Sequence, residues 1–545
     1  MALETFTYVN KLVNEFYKFM GDIYIEYKLA ETSITQTFTD YFLYKLFYNY
    51  GIKRRMVNEK IALLFYDKNC KGYKPFEPIT ILCRHMLLDI NIMKIVSLGI
   101  PKSISLDEFC NTYEIDKTNA GTNFLINNAN DTTNDTTNDT TADTTATIEK
   151  YRLYKFSEGT MLTYNPSLKK YSITEINTNI NSDDNEMDID IDESTKELLS
   201  SNIEVKFNKQ FMYSTRKVIG TGKFNSAKTF FEMFDENNKI ANTNLDNIPE
   251  EIMNDKVLVF NIEHPENRIV SSQVRNFNTL CAVFQFKNEE IAKVQYNKIM
   301  EIEFSIEMQN IILDAFRELG NNMISQIQVA NFNKQVQEYN VNLHLPEIIK
   351  SFEKLEEDGI TKTIINFNEL SFESINEIVQ NKPKDFQGYI IYGLNGERTK
   401  FSNKKYKELR ALKGNKPIII EQKNTKNLFY HYWNLVKNNK VEEFIKEFDI
   451  NQGSGNNEYM YNKLFNWFLY LVKIYSNHLF KIYHYSFVKK TFEKCEIPFS
   501  MKPMCGDLHK LYLKNKVPIS ALMVEKYIFE QPANKIFWRI FTQNN

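Results

Sequence analysis

The stretch RLYKFSEGTML, residues 152–162, consists of two short strand-like runs meeting at a Ser-Glu-Gly turn, and its reading decides the fold class. LVFNIEHPENRIV at 258–270 and CAVFQF at 281–286 carry the same β-branched and aromatic character and predict further strands. Outward from there, ITILCRHMLLDINIMKIVSLGIPKS from Ile79 shows the short alternating runs of strands and a hairpin, and strand-like segments return at 362–367 and 387–401. The flanks change period. Tyr8, Leu12, Phe16 and Phe19 recur at spacings of three and four, which predicts helices over residues 1 to about 65. Residues 289–357 read as mostly helical, and the pattern is helical again after Asn424, so the expected class is α+β.

Two segments interrupt this order. NNANDTTNDTTNDTTADTTAT, 127–147, repeats Asn, Asp and Thr with almost nothing to bury and is expected to be a disordered insertion. NSDDNEMDIDIDE, 181–193, is a second one inside what otherwise reads as a hairpin between Tyr164 and Phe211. Its Asp188, Asp190 and Asp192 imitate the start of a calcium loop, but Glu193 takes the turn-glycine position and Leu199 that of the bidentate glutamate, which leaves a solvated acidic loop.

Composition narrows the function classes. In 545 residues, 67 Lys+Arg against 69 Asp+Glu give a net charge of -2, so a wholesale basic coat for nucleic acid is excluded and any polyanion site must be local. The six cysteines are scattered without a C-x-x-C pair, which excludes a zinc ribbon and a disulfide scaffold and fits a reduced, cytoplasmic protein. The charged, aromatic N-terminus lacks a signal peptide's apolar core, and Lys473 and Lys481 break the most apolar stretch, Trp467 to Tyr485; no membrane association is expected. Gly220-Thr-Gly-Lys223 is a false lead: a phosphate loop needs a glycine where Lys217 stands and Ser or Thr where Phe224 stands.

The informative pattern is a series of short segments in fixed order: RLYKFSEGTML (152–162), YSTRKVIGTGKF (213–224), LVFNIEHPENRIV (258–270), DFQGYIIYG (385–393) and ERTKFSNKKY (397–406). Together they resemble the motif series of covalent nucleotidyltransferases, specifically the bacteriophage-type RNA ligase 1 group and its relatives in giant DNA viruses. CRHMLLDINIMKIVSLGIPKSI (83–104) resembles the strand pair ahead of the nucleophile, and GDLHKLYL (506–513) the helical C-terminal part of those ligases. The resemblance implies antiparallel ligase-like sheets with flanking helices, divided as an N-terminal helical region 1–75, a nucleotidyltransferase domain 76–424 and a helical domain 425–545.

It also implies residue roles. Such a ligase attacks the α-phosphate of ATP with a lysine and passes the AMP to an RNA 5′-phosphate, with Mg²⁺ at the site. Lys155 would be the nucleophile, ahead of Glu158 and Gly159; a strand-exposed lysine before a turn is the competing reading. Arg84, Lys102, Arg216, Lys217 and Lys400 would bind nucleotide or RNA phosphates, where cations stabilise charge on the transferred phosphoryl group, and each also suits a solvated strand edge.

The departures weigh more than the matches. Gly159 lies four residues after Lys155 instead of three, Asn261 stands where a glutamate binds the ribose, Gln387-Gly388 replaces the Glu-Gly whose carboxylate holds the metal, and Ser402 replaces a cation. An amide accepts a hydrogen bond but does not neutralise Mg²⁺, and losing one preorganised charge costs ~10²-fold in rate or more. The expectation is therefore a catalytically impaired ligase-like protein that binds nucleotide or RNA ends or serves as a viral interaction scaffold. The alternative is an active ATP-dependent RNA ligase. Its compartment would be the cytoplasm, that of the host or its viral factory if the chain is viral.

Overall fold

The computed structural model describes residues 7–30, 35–118, 125–126, 148–157, 159–171, 212–219, 228–267, 270, 275–321, 323–355, 362–393, 395–414, 425–448, 460–492 and 497–541. Both acidic or Asn-Asp-Thr insertions, and Glu158, lie outside the described residues. The chain divides into two units, Met1–Lys407 and Glu408–Asn545.

The first unit is α+β. Its strands run in chain order: β1 (Ile52–Met56), β2 (Ile61–Tyr66), β3 (Met86–Asp89), β4 (Lys94–Leu98), β5 (Leu125–Ile126), β6 (Ile148–Glu149), β7 (Tyr151–Lys155), β8 (Thr160–Tyr164), β9 (Tyr213–Thr215), β10 (Lys256–Glu263), β11 (Phe277–Phe286), β12 (Ile324–Ile327), β13 (Ser351–Leu355), β14 (Lys362–Asn366), β15 (Gly388–Gly393) and β16 (Arg398–Ser402). A four-stranded sheet has the order β1-β2-β3-β4, a five-stranded sheet β12-β11-β10-β8-β9, and a three-stranded sheet β16-β15-β7. Every named pairing is antiparallel.

Two sequence expectations are corrected here. Residues 52–66 are strands, not helix, and β2 pairs with β3, so a division at residue 75 would cut one sheet. IALLFY lacks the alternation of a half-solvated strand because both of its faces are covered: Ala62, Leu64 and Tyr66 join the main core, while Ile61 and Leu63 join Leu87, Val96 and Leu168. In addition, Pro78–Leu82 is a single helical turn ahead of the β3–β4 hairpin, with the proline at its start, where a missing N–H costs nothing.

The N-terminal helix Thr7–Leu29 buries Val9, Leu12, Val13, Phe16, Tyr17, Met20, Ile23 and Tyr24, the spacing of one helical face. This face packs against the helix Gln309–Gly320, where a Cβ on Gly320 would come within 2.9 Å of Tyr17. Tyr17 in turn donates from Oη to the Met93 carbonyl at 2.9 Å, tying this helix to the β3–β4 turn. On the five-stranded sheet, Val257 and Val259 face the main core, while Leu258, Phe260 and Ile262 face a second core with Phe234 and Phe332. The helix Phe230–Ile240 over that face begins in a capping box: Thr229 Oγ1 accepts from Glu232 N at 3.1 Å, and Glu232 Oε2 accepts from Thr229 N at 2.7 Å.

The second unit is helical. Its helices Thr425–Lys437, Val441–Phe448, Met460–Tyr483, Lys502–Asn515, Ala521–Glu530 and Ala533–Phe541 bury Phe429, Trp433, Phe444, Phe468, Leu479, Leu508 and Ile528. Among the described residues no helix is long and apolar enough to cross a membrane.

Candidate functional site

The chain passes from the three-stranded to the five-stranded sheet between Lys155, the last residue of β7, and Thr160, the first of β8. Around this crossover several of the sequence candidates meet. Phe156 donates its N–H to the Gly388 carbonyl at 3.0 Å, and Gly388 pairs with Ser402 across the sheet. Gly388 has φ 143°, and a Cβ there would lie 1.9 Å from the Phe401 carbonyl oxygen, so only glycine fits. Gly159 packs on Asn261, whose Oδ1 and Nδ2 lie 2.5 and 2.6 Å from where a Cβ would stand. Lys400 Nζ sits 4.3 Å from the centre of the Phe156 ring. Gln387 precedes Gly388, and its side-chain Oε1 is buried without a partner among the described residues.

Strand register sorts these groups onto two faces. Leu153 pairs with Ile391 and Lys155 with Tyr389, while Tyr154 and Lys400 both pair with Ile390, and Arg152 and Arg398 both pair with Tyr392. Directly paired side chains share a face and neighbours along a strand alternate. Lys155 therefore shares the face of Leu153, Tyr389 and Phe401, at its exposed end, whereas Lys400 and Arg398 lie on the opposite face. The Lys155 side chain makes no hydrogen bond or ion pair among the described residues.

On that opposite face the three sheets converge on a cluster of arginines. Arg398, buried, donates from Nε and Nη2 to the Pro101 carbonyl at 3.0 and 2.6 Å. Arg84, half-buried just ahead of β3, donates from Nη1 to the neighbouring Ile100 carbonyl at 3.4 Å. Arg216, directly after β9, lies 4.0 Å over the Tyr66 ring and donates to the Tyr66 carbonyl at 3.0 Å, leaving its Nε buried without an acceptor among the described residues. Burial, then the positive charges of Arg398 and Arg216, pull the Arg84 guanidinium below its ordinary value. Tyr66 and Tyr392 are the opposing influences; among the described residues no carboxylate joins the groups that shift Arg84.

Cys281 adjoins this cluster. It occupies the β-bulge of β11, where Val259 faces Ala282 and Phe260 faces Leu280, and its thiol is pushed up to about 11 by burial. Bulges of this kind bend a strand and re-aim its side chains.

The remaining sequence candidates lie apart. Lys217 is exposed over the Phe65 ring at 5.5 Å, on the far side of β2 from Arg216, because Phe65 and Tyr66 alternate along that strand. Lys102 donates from Nζ to the Pro75 carbonyl at 2.5 Å and lies 4.9 Å over the Phe76 ring. Arg398, Tyr66, Tyr392 and Cys281 are the members that motif reading did not single out. Each belongs to an ordinary-looking strand, and only the convergence of three sheets brings them together.

The cluster suits a multiply charged oxyanion: fixed guanidinium groups with spare N–H donors in a partly desolvated setting bind phosphate strongly. Arg84, Arg216 and Arg398 would hold the phosphates of a nucleotide. Magnesium does not fit as well. The two positions implied for metal and ribose carry the amides Gln387 and Asn261, and among the described residues no group of three His, Cys, Asp or Glu is placed to hold a cation. No protein-family model matches the chain, and no curated protein matches it in sequence.

Proposed function

We propose that this chain is an RNA ligase-like nucleotidyltransferase-fold protein that binds the phosphates of a nucleotide or of a phosphorylated RNA end and has lost most or all of its ligase chemistry. The observation that carries the binding half is the trio Arg84, Arg216 and Arg398, with no carboxylate of the described residues among the charges that shift Arg84. The impaired chemistry is supported by the amides at 261 and 387 and by Lys155 lying on the sheet face away from the arginines.

The test has two arms. Incubation with radiolabelled ATP and Mg²⁺ followed by denaturation is expected to leave little or no covalent adenylate, and ATP is expected to raise the thermal midpoint of the wild-type protein. The variant Arg84→Met/Arg216→Met should lose that rise. An efficient covalent adenylate would establish an active ligase instead, and a wild-type midpoint indifferent to ATP and to 5′-phosphorylated RNA would overturn the binding reading.

A further inference from the structure

The helix Met460–Tyr483 of the second unit buries one side and presents another that is neither apolar nor simply charged. Trp467, Tyr470 and Ile474 are 43%, 62% and 48% exposed. At 100° per residue they fall on one face, and Lys463, Lys473 and Lys481 flank them on that same face. From Met460 to Phe492 the chain has five lysines (Lys463, Lys473, Lys481, Lys489, Lys490) and no Asp or Glu. None of the three lysines on the face forms an ion pair among the described residues. A second helix extends the surface: Trp467 packs 5.7 Å from Phe541, and one turn earlier Trp538, 53% exposed, has Lys426 5.3 Å over its ring.

We propose that this face binds single-stranded nucleic acid, with bases stacking on Trp467 and Tyr470 and the lysines lying along the phosphates. Rings set between cations are what a sequence-tolerant single-strand site requires: every base has a π-face, and the backbone supplies one negative charge per nucleotide. From Lys463 to Lys481 the helix rises ~27 Å, which matches about eight nucleotides at the 3.4 Å spacing of a stacked strand. The other occupants fit less well. A second copy docked through the same patch would set lysine against lysine, since a two-fold interface is self-complementary. A bilayer would call for a broad aliphatic stripe, whereas this face holds one isoleucine beside Asn466 and Asn477. The inference does not rest on the arginine cluster, which belongs to the other unit.

The experiment uses the full chain and a 3′-labelled twelve-residue oligouridylate with a 5′-hydroxyl, so that no terminal phosphate is offered. Binding followed by anisotropy should weaken steeply with salt. Trp467→Ala/Tyr470→Ala should lower affinity roughly tenfold per ring. Lys463→Gln/Lys473→Gln/Lys481→Gln, which leaves the rings in place, should flatten the plot of log affinity against log salt by ~2. The ring variant should keep the ATP-induced rise in thermal midpoint, which separates this site from the arginines. Equal affinity of wild type and both variants would overturn the proposal. So would absence of binding to the oligonucleotide together with either capture by phosphatidylserine vesicles or self-association lost in the ring variant.

Discussion

Gly159 stands directly against the side chain of Asn261: any Cβ at 159 would meet both atoms of that amide within 2.6 Å and the Ile262 carbonyl at 2.7 Å. One of the neighbours is backbone and cannot swing away. Gly159→Ala is therefore expected to destabilise the first unit by ~1–3 kcal/mol, the usual cost of overpacking, read as a lower urea midpoint. An unchanged midpoint would show that the crossover turn yields freely.

The same contact limits any attempt to rebuild a ligase metal site. Asn261→Glu adds a methylene where Gly159 leaves no room, and is expected to cost stability with or without metal. Gln387→Glu differs, because its acceptor already sits buried without a partner among the described residues. A carboxylate there is destabilising until a cation arrives, so its thermal midpoint should rise with added Mg²⁺ while that of the wild type stays flat. A Gln387→Glu midpoint indifferent to Mg²⁺ would mean that no cation can reach the position.

Acid should unfold the first unit through His85. Its Nε2 lies 3.0 Å from Ser214 Oγ and 3.2 Å from Thr163 Oγ1, fully buried, and burial holds the imidazole down to about 4. An imidazole in the unfolded chain titrates near 6.5, so the group contributes stability fully present above pH 6.5 and lost as pH falls toward 4. Each tenfold loss of proton affinity on folding is worth ~1.4 kcal/mol, so the stability lost across that window should reach roughly 3 kcal/mol. Urea midpoints at pH 7, 5.5 and 4.5 check this, and His85→Gln should flatten the profile.

In the second unit Trp433 is the largest fully buried side chain, stacked on Phe429 at 5.3 Å and Phe529 at 5.2 Å, with Nε1 donating to the Gln531 carbonyl at 2.9 Å. Trp433→Ala should cost ~3–5 kcal/mol. Trp433→Phe should recover most of the packing but leave the Gln531 carbonyl without this donor. Denaturant midpoints distinguish the two.

Hairpins were the legible part of the fold. The segments around Leu258 and Val283 alternate between two cores, and that alternation is written in the residues. β1 and β2 were not legible, since IKRRM reads as a solvated run and IALLFY as an apolar segment that fits a helix equally well. In the site, motif order pointed to Arg84 and Arg216, but it gave Lys217 equal standing with its neighbour. Both lie in the bend after β9, and they part because they sit over Tyr66 and Phe65, which alternate along β2. Arg398 carries no local signal at all: its partners are Pro101 and Tyr392, and Arg84 meets it only through the stacking of sheets.

The crossover from β7 to β8 also sets a mechanical limit. The chain between the Cα atoms of Lys155 and Thr160 reaches at most ~18 Å when fully drawn out. Gly388 grips one end of this tether through Phe156, and Asn261 braces the other through Gly159. A ligand that entered between these two sheets would have to do so within the slack of that short leash, so the joint would limit the largest guest the proposed arginine site could receive without unzipping a strand.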